Sequence, residues 1–473
     1  PPTEPSVPMP AMLAKLLLLL PLERCVGIAT VTRARARESE HARANEVTNS
    51  YYWPSGRGPV THYSASHAEA PTDLKASLAW TWHDPRGRYM NSPTGVNLDD
   101  KQNIYMTSLD GIRKFSPDGK LLWTYGPARA RGEEMPDTAS LYNGAVYSST
   151  THGRIFGLSM ETGQELWSTK LSSCDGNNGW VSVYDGVVIT GSDAAELNRG
   201  KRAPGKGADQ RVTGLNASSG AQLWQFQPEA PVWNFMGSFA GDGTFVFQDY
   251  EGRAYRNRAR DGQPIWKSGG FAGTWTDGSA LLGPNGIVYA VNTLAMDSAG
   301  ADGHGHVSAY ALEDGALLWR TEVPRPPNNM PAIGRLAGRA NLSLVQPIGQ
   351  QVMQGAPTDV YALDAETGRV QWVFNGPAQK DMLQAGDGNP LAMMQRAAAN
   401  IRAITLPNPW SAPSIDARGT VYIGSEEGPI YSLRDADGNG KLEGEGEVST
   451  YDAKSCFSGS SSPAIGDGMM VIG

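Results

Sequence analysis

The chain has 473 residues, 40 Lys+Arg against 48 Asp+Glu, a net charge of −8 and only 19% charged residues. That is below the ~25% of an average soluble domain and excludes a charge-expanded disordered chain, while the acidic balance, without a dense basic block, gives no expectation of a nucleic-acid partner. Three cysteines exclude a disulfide scaffold or a Cys-rich metal centre, and 56 Gly with 32 Pro indicate a turn-rich globular protein.

In the first segment, MLAKLLLLLPL over 12–22 is apolar for about half of what a bilayer-spanning helix needs. It reads as the core of an export signal, with Ala29 in small-residue context downstream, and no transmembrane segment is expected. The arginines at 33, 35, 37 and 43 also suit an organellar presequence. The expected division is a targeting segment over 1–30, which takes Cys25 with it, an extended lead-in over 31–73 and one folded domain over 74–473. Export, a secretory route or an organelle lumen is the expected location. The sequons at Asn216 and Asn341 add little to that.

From about residue 74 one pattern recurs. FSPDGKLLW, METGQELW, ASSGAQLW, ARDGQPIW, LEDGALLW and DAETGRVQW end at Trp123, Trp167, Trp224, Trp266, Trp319 and Trp372. Each holds Gly four residues before Trp, preceded by Asp, Thr or Ser, and the intervals run from 42 to 57 residues. Between them lie short alternating strands such as NIYMTSL, GVVITGS and TVYIGSE, which exclude a helical solenoid. A period of ~40–50 residues built of short strands predicts a β-propeller with four-stranded antiparallel blades. Gly takes a positive φ in the hairpin turn, and the next strand delivers Trp to the space between blades. These six tryptophans, with Trp80 as an N-terminal equivalent, are read as structural.

Inner strands are expected near Asn91, Asp137, Trp180, Trp233, Trp275, Pro331, Trp410 and Ser461, which counts eight blades, with seven as the alternative. The C-terminal GSSSPAIGDGMMVIG supplies two strands and LKASLAWTW one, so both ends are expected to share a blade that lacks a third strand. On that ground a truncated C-terminus is suspected.

Trp180, Trp233, Trp275 and Trp410 fall at blade entries, with Asn234 and Asp277 among the polar neighbours at the same register. In a propeller these loops gather at the mouth of the central channel, where aromatic faces beside amides suit a planar or sugar-like ligand. Burial of the same residues as ordinary core is the competing reading. The long loops 193–210, 292–306 and 347–358 are expected on that face, and LAMMQRAAANIRAI, in an insertion over 376–407, reads as a short helix. His304 and His306 alternate without an evident third ligand and read as a hairpin rather than a metal site.

DADGNGKLEGEGEV is the strongest metal signal. Asp435, Asp437, Asn439 and Gly440 stand at positions 1, 3, 5 and 6 of a loop resembling a calcium-binding EF-hand loop. Lys441 at position 7 would offer its carbonyl, and Glu443 stands at position 9. Position 12 is Gly446 and the acid, Glu447, comes one residue late, so binding needs a local bulge. Weak, structural Ca2+ is the expectation, against a plain hairpin turn.

The repeat resembles the pyrroloquinoline-quinone-type repeat, Ala-x-Asp-x-x-Thr-Gly-x-x-x-Trp. Ala362, Asp364, Thr367, Gly368 and Trp372 match it throughout, and Thr162, Gly163 and Trp167 match its second half. The resemblance implies the quinoprotein alcohol dehydrogenase-like propellers. Their enzymes stack the quinone over the channel on Trp and on a disulfide of adjacent cysteines, beside Ca2+ or a lanthanide and a catalytic Asp. Here Cys174 and Cys456 are far apart, and Asp277 beside Trp275 is the one acid nominated for that role. Other proteins similar in their repeats, the bacterial outer-membrane assembly lipoproteins, use the disc as a docking platform, although LERC before Cys25 is a poor lipidation signal. The expected function is therefore a binding or scaffold propeller without catalysis, docking a protein or small ligand at the channel face, with no quinone. A pyrroloquinoline-quinone- and Ca2+-dependent dehydrogenase of alcohols or sugars is the alternative, and a glycan-binding propeller the third reading.

Overall fold

The computed structural model describes residues 29–33 and 50–473. Outside the description lie 1–28, 34–49, 87–92, 127–130, 132, 136, 151–152, 172–178, 193–209, 271–273, 275, 277, 295–302, 328, 350–354, 356, 380–393, 395–397, 399–408, 454–456 and 458–461. Among the described residues no helix is long and apolar enough to cross a membrane.

Alternating short strands broken by Gly-containing turns fold into antiparallel four-stranded sheets, the 32 strands among the described residues falling into eight of them. Seven sheets are contiguous blades, the number weighed as the alternative. Their inner strands are Pro93–Leu98, Ser140–Tyr142, Ser182–Tyr184, Ser238–Phe239, Leu281–Leu282, Ala332–Arg335 and Ser414–Ile415 for blades 1 to 7. The corresponding outer strands are Leu121–Tyr125, Glu165–Lys170, Gln222–Phe226, Pro264–Gly269, Leu317–Val323, Val370–Asn375 and Val448–Asp452. The eighth sheet is a clasp made from both ends of the chain, in the order Leu78–Trp82, Ala29–Arg33, Met469–Ile472, Ala464–Gly466. Its third strand, expected to be missing, is Ala29–Arg33, in which Thr30 pairs with Ile472 and with Thr81.

Burial follows the seams between neighbours. Tyr105 and Ile112 of blade 1 pack with Leu141 and Phe156 of blade 2. Val345 and Val360 of blade 6 pack with Val421 and Ile423 of blade 7. Leu98 and Ile104 of blade 1, Tyr422 and Ile430 of blade 7 and Met470 and Val471 of the clasp share one cluster, so the clasp sits between the first and last contiguous blades.

The repeat motif fastens each seam. In every outer strand carrying the motif the pairing slips by one residue just before Trp: Glu165 pairs with Leu158 and Trp167 with Gly157, leaving Leu166 unpaired. This bulge turns Trp onto the following blade and its predecessor outward. Leu122, Leu166, Leu223, Ile265 and Leu318 are accordingly exposed. Trp80, Trp123, Trp167, Trp224, Trp266 and Trp319 each donate their Nε1–H to a carbonyl in the turn of the next blade, respectively Pro117, Met160, Ala217, Ala259, Leu312 and Ala365, at 2.7–3.2 Å. The turn glycines Gly119, Gly163, Gly220, Gly262, Gly315 and Gly368 lie flat on those rings at φ of +69° to +88°, and a Cβ on any of them would come closer than 3.0 Å.

Candidate functional site

The inner strands do not enclose an empty axis. Residues 51–74, all but the last within the 31–73 stretch expected only as an extended lead-in, run around the inside of the ring and bond to one blade after another. Trp53 pairs with Leu98 of blade 1 and Leu141 of blade 2 donates to the Pro54 carbonyl at 2.6 Å. Phe239 of blade 4 donates to Val60, Leu282 of blade 5 to Thr61, Ile333 of blade 6 to Tyr63 and Ile415 of blade 7 to Ser64, at 2.8–3.2 Å. Ser66 reaches the Ile465 carbonyl of the clasp at 3.3 Å. The tight path needs positive φ at Gly58, His62 and Ser64, an unusual cost for the last two.

Arg57 and His62 anchor this segment. Arg57 is 1% exposed; its guanidinium donates to the Met330 carbonyl and the Asn329 side chain, both at 3.0 Å, and lies 5.3 Å from the centre of the Trp180 ring. Burial lowers its pKa to about 9, which leaves it charged at neutral pH. The His62 ring sits between the Ser55 hydroxyl at 2.9 Å and the Ser182 hydroxyl at 3.3 Å. Burial, reinforced by the Arg57 charge, pushes its pKa down to about 3, so the ring is neutral across the physiological range.

The residues nominated at the channel mouth divide. Trp180 is buried, donates to Asp137 and stacks under Arg57. Trp410 is fully buried against Phe374 and Tyr431, and its backbone carbonyl accepts from Asn329 at 3.0 Å. Neither offers a free face for stacking. Trp233 and Asn234 are half-buried, with Trp233 tilted 49° against Tyr250 at 6.3 Å. Trp275 and Asp277 lie outside the described residues, as do Cys174 and Cys456 and most of the long loops and the insertion. His306 is buried and His304 exposed on their strand. Nothing in the sequence singled out Arg57 or His62; the signal available was an arginine and a histidine in a Gly/Pro-rich stretch ahead of the first blade.

The acidic loop follows blade 7's third strand, Pro429–Leu433. Oxygens of Asp435, Asp437 and Glu447 all lie within 4.8 Å of one another. Gly438 and Gly440, at φ +72° and +86°, coil the chain so that the Asp437 carboxylate accepts from the Asn439 backbone at 3.0 Å and side chain at 2.7 Å. Gly446, at φ +77°, supplies the bulge that brings Glu447 in, where its oxygens accept from the backbone of Ala436 at 2.9 Å and Gly444 at 2.7 Å. Glu443 points elsewhere, 3.8 Å from the Lys441 ammonium, and both are exposed. Asn439 also accepts from the Lys441 backbone at 2.7 Å, which keeps these two at the loop's turn.

Serial blades, docking tryptophans and the two-ended clasp define a quinoprotein-type repeat propeller. The family profile described as PQQ_2, outer membrane protein assembly factor BamB, matches residues 109–274 and 208–462, and the chain belongs to that family. The assembly factor BamB of Burkholderia pseudomallei is 24% identical over 237 residues, covering 48% of this chain and 54% of that protein. The quinohemoprotein alcohol dehydrogenase ADH IIB of Pseudomonas putida is 25% identical over 286 residues, 57% of this chain and 36% of the enzyme. The chain thus matches about half, or less, of the length of these relatives. Among solved structures, the quinohemoprotein alcohol dehydrogenase ADHIIG of Pseudomonas putida HK5 superposes with a TM-score of 0.58 at 14% identity, over 89% of this chain and 75% of that one. That likeness is one of fold. The quinone these enzyme names imply needs an open aromatic face, and Trp180 and Trp410 do not fit it: the first is covered by Arg57, the second sealed in the core.

Proposed function

We propose that the protein is a non-catalytic docking propeller of an exported compartment, its clasp counting as an eighth blade, which holds a protein partner or small ligand on the channel-mouth face. The observation that carries this reading is the inner segment. Residues 51–66 line the inside of the ring, and Trp180, the described residue best placed for stacking a cofactor there, lies under Arg57. Among the described residues what remains is a surface, with the half-buried Trp233 and Asn234 at the mouth. The assembly-factor name of the BamB relative is compatible with a protein as the partner, and quinone chemistry is not part of this reading.

The test is calorimetric titration of the chelator-stripped chain with pyrroloquinoline quinone, with and without Ca2+, followed by dye reduction with alcohols and sugars. No heat and no dye reduction are expected. Saturable quinone binding with substrate-dependent reduction refutes the scaffold reading in favour of a dehydrogenase. Glycan binding lost in Trp233→Ala would instead favour the third, carbohydrate-binding reading.

A further inference from the structure

The seam between blades 6 and 7 is built differently from those before it. Trp372 occupies the docking register of blade 6, yet its buried Nε1 has no hydrogen-bond partner. The turn it should meet on blade 7 is replaced by the acidic loop, and Gly440 there lies against the Gln371 carbonyl beside it. Leu442 of the loop packs onto the cluster that contains Trp372. On the blade 6 side Gly338 fits against Gly438 with no room for a side chain, and Arg339 reaches across to pair with Asp435.

Within this seam the Asp435 side chain has no exposed surface, and its Oδ1 accepts no hydrogen bond. Its Oδ2 is used by Arg339 and by the Gly440 backbone. Leaving a buried carboxylate oxygen without a partner is costly, and the Asp435 carboxylate lies within reach of two further carboxylates. Three carboxylates against one guanidinium leave a local excess of negative charge. An oxygen-ligating divalent cation satisfies both deficits at once.

We propose that Ca2+ binds at Asp435 Oδ1, Asp437 and Glu447, and that this ion fastens blade 7 to blade 6 where the tryptophan-on-glycine joint is missing. Ca2+ is the class favoured because the donors are all oxygens on an irregular loop coiled by three glycines, and it accepts 6–8 ligands in irregular geometry, whereas Mg2+ demands a near-ideal octahedron. Asn439 and Lys441, at the fifth and seventh positions, are the further donors, through a side-chain and a backbone oxygen. Glu447 serves from the thirteenth position instead of the twelfth, the Gly446 bulge making up the difference.

The experiment uses the full chain, stripped with chelator and titrated with CaCl2 by calorimetry, with thermal unfolding followed in parallel. One ion per chain is expected, with a rise in unfolding temperature, and MgCl2 should bind at least tenfold more weakly. Asp437→Asn, at an exposed position that leaves folding undisturbed, should weaken Ca2+ at least tenfold, as should Glu447→Gln. Absence of heat and of any thermal shift up to about 10 mM Ca2+, above the weakest range of extracellular calcium modules, overturns the proposal. Unchanged affinity in both variants overturns the assignment to this loop. Binding without any thermal shift overturns the fastening role.

Discussion

Replacing Gly220 by Ala tests the joint that repeats around the ring. Gly220 stands at φ +69°, and a Cβ there would enter the Trp167 ring and approach the Thr169 hydroxyl, which itself donates to the Gly220 carbonyl at 2.7 Å. Two costs add: ~1–2 kcal/mol for a left-handed Ala and ~1–3 kcal/mol for overpacking against the ring, hence roughly 2–5 kcal/mol. Gly144 is the internal control, because it has φ +74° in a turn with nothing within 4 Å of the added carbon. Gly144→Ala should cost only the backbone part, ~1–2 kcal/mol. Equilibrium urea unfolding followed by tryptophan fluorescence reads both midpoints. If Gly220→Ala is no more destabilised than Gly144→Ala, the ring-on-glycine contact contributes nothing and the account of the seams is wrong.

Trp319→Phe removes one of the two donors to the Ala365 carbonyl, the Tyr289 hydroxyl at 3.0 Å remaining, whereas Trp372→Phe removes a donor that has no acceptor, so the first should be the more destabilising by ~0.5–1.5 kcal/mol in the same urea assay. Acid should weaken the fold through His62. Its pKa is about 3 folded against 6.5 unfolded, so neither state is protonated well above pH 6.5, and below it only the unfolded chain gains the proton. Stability then falls by ~1.4 kcal/mol per pH unit, about 2 kcal/mol by pH 5, and the loss levels off near pH 3. Asn tolerates the left-handed backbone at this position, so His62→Asn should unfold earlier at pH 7 but show a shallower decline between pH 6.5 and 5. An unchanged slope there refutes the assignment.

The seams were legible in the sequence because one local rule, Gly at a positive φ four residues before Trp, recurs with a period that only a ring of blades satisfies. The starts of the inner strands followed from it to within six residues. Residues 51–74 were not legible because they are held largely by their own backbone carbonyls, which leave no side-chain period. Their role becomes visible only once Phe239, Leu282, Ile333 and Ile415 are seen donating to them. How deeply two of the mouth tryptophans are covered was hidden for a related reason. Position at a blade entry places Trp180 and Trp410 near the axis but does not reveal that Arg57, more than 120 residues before the first of them, covers one of them. The clasp's third strand was hidden by its setting, since ATVTR has the β-branched alternation of a strand but follows an apolar run that reads as a cleavable signal. In the acidic loop the residue types were readable. The reach of Glu447 was not, because it depends on the backbone angle at Gly446.

The inner segment also orders assembly in time. Its acceptors run Pro54, Val60, Thr61, Tyr63, Ser64, in the same direction as the blades that donate to them, 2, 4, 5, 6 and 7. It precedes every one of those blades in the chain, so during synthesis each newly completed sheet meets a docking rail that has already left the ribosome, and the ring closes around a thread instead of being threaded afterwards. The closing contact is of the opposite kind: Thr30 finds Ile472 only after the final strand exists, the most distant strand pairing among the described residues. A circular permutant that places residues 50–74 after the last blade would keep every native contact yet have to insert its rail into a finished ring. The difference should appear in the yield and rate of folding, not in the stability of what has folded.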